Sequence, residues 1–127
     1  MELRCYADKR EKICLEFHPC VNTGENITWE EWHTSDVLFV LATDYDMLLP
    51  YFKSAFPLSD PTNGEKQEFF DLCSQNWIGR KDWQNIIENI KNHISSKEDE
   101  KVFFEQFIKW IETQLLWANI IVVDGNL

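Results

Sequence analysis

At 127 residues, 44% hydrophobic and 27% charged, the chain can bury a core as one domain, 1–127, without disulfide or metal staples. Its 22 acidic residues against 12 lysines and arginines leave a net charge of −10. That balance repels nucleic acid and anionic membrane surfaces and favours either solubility or a basic protein partner.

Leu3, Cys5 and Ala7 alternate with Glu2, Arg4 and Tyr6, and Ile13-Cys14-Leu15-Glu16-Phe17 follows the charged turn Lys9-Arg10-Glu11. Two strands so placed predict an N-terminal antiparallel hairpin. Pairing Leu3 with Phe17, Cys5 with Leu15 and Ala7 with Ile13 leaves one apolar face. The other face then sets Arg4 against Glu16 and Asp8 against Lys12. His18-Pro19 ends the second strand. After the turn cluster Asn22–Asn26, Ile27–Trp32 reads as either a third strand or a loop that drapes two tryptophans over the core.

Thr34-Ser35-Asp36 is a helix-start cluster, so the apolar run Val37–Ala42 is predicted helical. Thr43–Asp46 offers a second start, with Pro50 suited to the first turn of the helix that follows. Pro57–Gly64 is the clearest loop. Residues 65–75 read as a helix with Phe69, Phe70, Leu72 and Cys73 inward, ended by Trp77-Ile78-Gly79 with the glycine as a left-handed cap. Asp82 then starts the best amphipathic helix, whose stripe is Trp83, Ile86, Ile87, Ile90 and Ile94. Ser95-Ser96 caps a last helix that carries Glu98-Asp99-Glu100 in its first turn and Phe103, Phe107, Trp110, Ile111 and Leu115 inward. Ile120-Ile121-Val122-Val123 is a strand without polar alternation, hence buried on both faces and inside a sheet. The predicted fold is α+β: the hairpin and the C-terminal strand in one small sheet, covered by four to five helices.

Four cysteines at irregular spacing, with a charged strand directly after Met1 and no apolar leader, predict free thiols and a cytoplasmic protein. The longest apolar run is too short to span a bilayer. Cys14, His18 and Cys20 are the closest set of soft ligands, but their C-x3-H-x-C spacing lacks the second short pair that zinc needs, so no metal is expected. No cysteine has the glycine, basic or helix-start context that lowers a thiol pKa. The serine-hydrolase, phosphate-loop, dinucleotide and zinc-protease motifs are all missing, so neither catalytic residues nor a cofactor is expected. Charge is uneven: residues 27–64 hold six acids and one base, with Trp29, Trp32, Tyr45 and Tyr51 among them. Acids beside semi-exposed aromatics suit an interface to a basic protein, and Glu30, Glu31, Trp32, Asp44, Tyr45 and Asp46 are the predicted contacts.

Trp77-Ile78-Gly79 with Asp82-Trp83, the closing Val122–Leu127, and the overall length and acidity resemble small bacterial immunity proteins. The resemblance implies an inhibitory binding protein that covers the active or substrate-binding surface of a basic toxin, with nucleases as one such class. The alternative from the residues is a small enzyme or ligand-binding domain with a pocket between sheet and helices, marked by His18 or His33 beside a carboxylate or cysteine. A self-associating structural domain is a third reading.

Overall fold

The terminal apolar run forms a strand well inside the sheet, and the rest of the fold is best followed from it. The computed structural model describes residues 4–5, 14–22, 37–94 and 96–125. In chain order the elements are β1 (Arg4–Cys5), β2 (Cys14–Cys20), β3 (Leu38–Leu41), α1 (Ala42–Tyr45), α2 (Leu49–Ala55), β4 (Leu58–Ser59), β5 (Lys66–Gln67), β6 (Gln75–Gly79), α3 (Arg80–Asn92), α4 (Glu98–Gln114) and β7 (Ile120–Gly125). The fold is α+β. The main sheet runs β1-β3-β2-β7-β6, with every described pair antiparallel. β7 lies between β2 and β6, and Ile120 to Val123 are buried on both faces.

The sheet corrects the predicted hairpin. β1 does not pair with β2; β3 lies between them, with Arg4 opposite Phe39 and Glu16 opposite Phe39 from the other side. The expected Arg4–Glu16 cross-strand pair is therefore two strands apart. The segment responsible is Leu38–Leu41, predicted helical on its preceding cap residues. Leu38 and Val40 enter the main core while Phe39 and Leu41 pack on the opposite face. A four-residue run buried on both sides satisfies a central strand as well as a helix, and pairing on both edges decides the outcome. β2 also continues past His18-Pro19 to Cys20. Proline is tolerated there because it lies beyond the Cys14–Phe17 stretch that pairs with β3.

The predicted helix over 65–75 is absent. Instead β4 and β5 make a two-stranded ribbon within and beyond the expected loop, and Trp77-Ile78-Gly79 is the end of strand β6. Gly79 has φ −79° and serves as the N-cap of α3, not as a left-handed helix end. The left-handed glycine is Gly64, φ +76°, where the Asp60–Gly64 turn closes through the Gly64 amide donating to the Asp60 carbonyl at 2.8 Å. The Phe56–Pro57 peptide is cis.

Among the described residues three helices exceed one turn, fewer than the four or five predicted. Pro50 falls in the first turn of α2 as expected. α3 buries Trp83, Ile86, Ile87 and Ile90, the predicted stripe, while Ile94 lies beyond the helix end and is half-buried. α4 buries Phe103, Phe107 and Ile111 as predicted, and Phe104 and Ile108 as well. Both helices cover one sheet face, where Phe17 packs against Phe52, Trp83 and Phe107 at ring-centroid distances of 6.1, 6.1 and 5.4 Å. The Trp83 indole N–H donates to the Ile121 carbonyl at 3.1 Å, so this large buried ring leaves no donor unmet.

Polar side chains finish the β6 side. The Gln67 carboxamide acts as a one-residue strand, donating to the Trp77 carbonyl and accepting from the Trp77 amide, each at 2.8 Å. That pair blocks part of an exposed strand edge. Buried Asn76 donates to the Asp71 carbonyl at 2.8 Å and the Val123 carbonyl at 3.0 Å and accepts from the Asp71 amide at 2.7 Å, fixing the 71–75 loop. This loop passes so close to Gly125 that a Cβ there would sit 2.6 Å from the Leu72 carbonyl carbon.

Candidate functional site

The acid-rich segment predicted to bind a partner is only partly within the described residues. Glu30, Glu31 and Trp32 lie outside them. Asp44 and Tyr45 sit in α1, a single turn that leaves β3 directly, so the sheet holds them inward: both are buried, and Tyr45 joins the main core. Burial, then the Asp46 carboxylate and Cys14, push the Tyr45 phenol above its ordinary range. Asp46 alone of these three presents its side chain to solvent. Tyr51, in the first turn of α2, is the half-exposed aromatic among the described residues of this region, and its ring stands edge-on to Phe104 at 5.9 Å and 85°. Lys53 is the single described base between residues 37 and 64.

A second polar group appears only through the strand register. On the face opposite the main core, Glu16 of β2 is directly across from Asp124 of β7, with His18 on the same side of β2 and its Nε2 3.5 Å from Glu16 Oε1. Glu16 and Asp124 thus carry like charges on facing positions, with the His18 imidazole beside Glu16. Apolar groups surround them: Cys14, Phe39 and Leu41 at one end, Cys20, Ile120, Val122 and Trp77 at the other. The spacing within β2 hints at this arrangement, since Cys14, Glu16, His18 and Cys20 all share one side, but Asp124 joins them only by register.

Their chemistry is limited by strand geometry and burial. Cys14 and Cys20 share a face yet lie six residues apart, about 20 Å along a strand. They cannot meet at one ion with His18, and no three His, Cys, Asp or Glu side chains form a metal-ligating group among the described residues. Burial pushes the Cys20 thiol up to about 11, the wrong direction for a nucleophile. Cys14, Cys20 and Cys73 are free thiols.

Concave surface lies elsewhere. Between α3 and α4 is an open depression of about 500 Å3 whose rim carries both signs: Lys91, Lys109, Glu105 and Glu112. Lys91 Nζ and Glu112 Oε2 pair across it at 3.4 Å. Leu116, 85% exposed, stands at its end. Two smaller depressions, about 220 and 290 Å3, adjoin between α2 and α3 and share Tyr51, Ser54 and Asn89. Neither is lined by a lysine or arginine.

No protein-family profile, curated protein or solved structure matches the chain. No helix among the described residues is long and apolar enough to cross a membrane.

Proposed function

We propose that the chain is a non-enzymatic, acidic binding protein of the immunity type, which neutralises a basic toxin by covering its active or substrate-binding surface. The observation that carries this reading is the charge: 22 acids against 12 bases, with half of the net charge in residues 27–64. A basic cleft that must attract a polyanion is the surface such a chain is drawn to, and complementary charge accelerates the encounter. Exposed Asp46 and half-exposed Tyr51 support the reading from the described part of that segment. Asp44 and Tyr45 act behind this surface, Tyr45 as a core ring and Asp44 within the turn that presents Asp46.

The alternative, an enzyme or small-ligand domain, calls for a pocket containing His18 or His33 beside a carboxylate or cysteine. His18 does stand beside Glu16, but it is 2% exposed and lines none of the depressions described above, while His33 is outside the described residues.

The test is affinity capture from a native lysate at low salt, with elution by rising salt. A basic protein should elute whose activity is inhibited when the chain is added back. Replacing Glu30, Glu31 and Asp46 by alanine should slow association several-fold, with the effect shrinking at high salt. A captured basic protein that binds this triple variant as well as the parent would remove residues 30–46 from the interface. Retention by salt-independent contacts, or no inhibition, would sink the reading.

A further inference from the structure

The cleft between α2 and α3 has a chemistry unlike that of the α3–α4 depression. Tyr51 and Ser54 come from α2; Asp82, Asn85 and Asn89 come from successive turns of α3, with His93 just past its end. Asp82 is half-buried and has no ion pair or hydrogen bond, although the first turn of a helix is a favourable place for its charge. The amides of Asn85 and Asn89 are likewise uncommitted; only the Asn89 backbone carbonyl is used, by His93 Nδ1 at 2.8 Å. The Ser54 hydroxyl donates to the Tyr51 carbonyl at 3.1 Å and so faces the cleft as an acceptor. The Tyr51 ring stands edge-on to Phe104, and its hydroxyl lies 3.5 Å from the His93 carbonyl oxygen.

The polar inventory therefore consists of one carboxylate, two carboxamides, a hydroxyl oxygen, an aromatic ring and, at one end, the His93 imidazole, with no lysine or arginine in the lining. An anion finds no lysine or arginine to pair with there and meets the Asp82 carboxylate. A planar cation with several N–H donors finds acceptors on α3 and a ring to stack on. We infer that the α2–α3 cleft is a receptor for an arginine side chain of the basic partner, with Asp82 as its counter-ion, Asn85 and Asn89 as further acceptors and Tyr51 as its stacking surface. Guanidinium suits this set better than ammonium, because the fork of N–H groups can reach acceptors one helical turn apart while its plane lies on the ring. The mixed-sign depression between α3 and α4 lacks this selectivity: Lys91 and Lys109 stand in its lining.

The inference rests on the basic-partner reading but can be tested without the partner. The probe is acetyl-arginine-amide, titrated into the full chain and followed by the side-chain amide resonances of Asn85 and Asn89. Acetyl-citrulline-amide, the neutral near-isostere, is the control. Arginine amide should shift both resonances with a dissociation constant on the order of millimolar, as one side chain allows. Citrulline amide should not shift them. Asp82→Asn should weaken binding about tenfold or more, the loss of one charged hydrogen bond, while the backbone spectrum shows the fold unchanged. Should that variant not fold, Asn85→Ala, at an exposed position, takes its place with a smaller expected loss. No shift up to about 50 mM, equal shifts with citrulline, or shifts confined to Asp46 or to α4 would overturn the inference. In those cases a captured basic partner would still leave the proposed function standing. Arginine binding in the cleft without any inhibited basic partner would leave the cleft and remove the function.

Discussion

Among the described glycines, Gly125 has the least room for a side chain. The 71–75 loop lies against it, its amide donates to the Ser74 carbonyl at 3.0 Å, and a Cβ would meet the Leu72 carbonyl group. Backbone rather than a flexible side chain is in the way, so Gly125→Ala should lower stability by about 2 kcal/mol or more in urea unfolding. A change below about 0.5 kcal/mol would mean that the loop is free to move aside. Cys20 makes a prediction with a pH sign. Its folded pKa, about 11, lies above its ordinary value of 9.0, because burial disfavours the thiolate. The folded state therefore holds this proton more tightly. The associated stability is fully present below pH 9 and is lost as pH rises from 9 towards 11, with a ceiling of about 2–3 kcal/mol. Tyr45, also raised, loses stability in the same direction. Cys20→Ala should be less stable at pH 7 and should show a shallower fall across this alkaline window than the parent. Equal slopes would assign the whole window to Tyr45 and other groups.

At the scale of elements, the sheet edge and the terminal strand are the sensitive parts. Gln67 covers the Trp77 backbone with its own amide, and Gln67→Ala reopens that edge. We expect about 1 kcal/mol of lost stability and faster aggregation on heating, read by light scattering. Asn76→Ala should cost more, about 1–3 kcal/mol, because it leaves the Asp71 amide without its acceptor and removes the second, side-chain donor from the Val123 carbonyl. Truncation before Ile120 removes the strand that joins β2 to β6 and should abolish cooperative unfolding. A cooperative melt near the parent temperature would disprove the central role of β7. Periodicity identified these elements unevenly. Trp83–Ile90 was legible because a 3.6-residue stripe against a polar face has one reading, and Ile120–Val123 because four β-branched residues disfavour a helix. Leu38–Leu41 and the stretch through Phe69–Phe70 lacked either signature. Their state was set by tertiary partners: Leu38–Leu41 pairs on both edges in the sheet, and Phe70 is buried against Phe52 of α2 with ring centroids 4.9 Å apart, while Phe69 is 69% exposed.

At the scale of the whole molecule, the prediction concerns charge. Association with a basic partner should slow steeply as salt rises from about 50 to 500 mM, over which the screening length falls from above 10 Å to a few ångströms. A salt-independent rate would leave the net charge of −10 as a matter of solubility alone. Sequence by itself determined that charge, its concentration in residues 27–64, the amphipathic face of α3 and the buried terminal strand. Each depends on composition or on spacing along one chain segment. Only the tertiary structure decided which acids and rings are presented. Asp44, Tyr45 and Asp46 are consecutive, yet the sheet holds the first two inward and leaves the third outside. Glu16 and Asp124 are 108 positions apart and meet through register. Tyr51 and Asp82 line one cleft because α2 and α3 pack side by side. Spacing along a chain specifies which residues share a face of one element. Which faces then meet, and what they cover, follows from burying all the apolar faces at once, and that is a property of the whole fold.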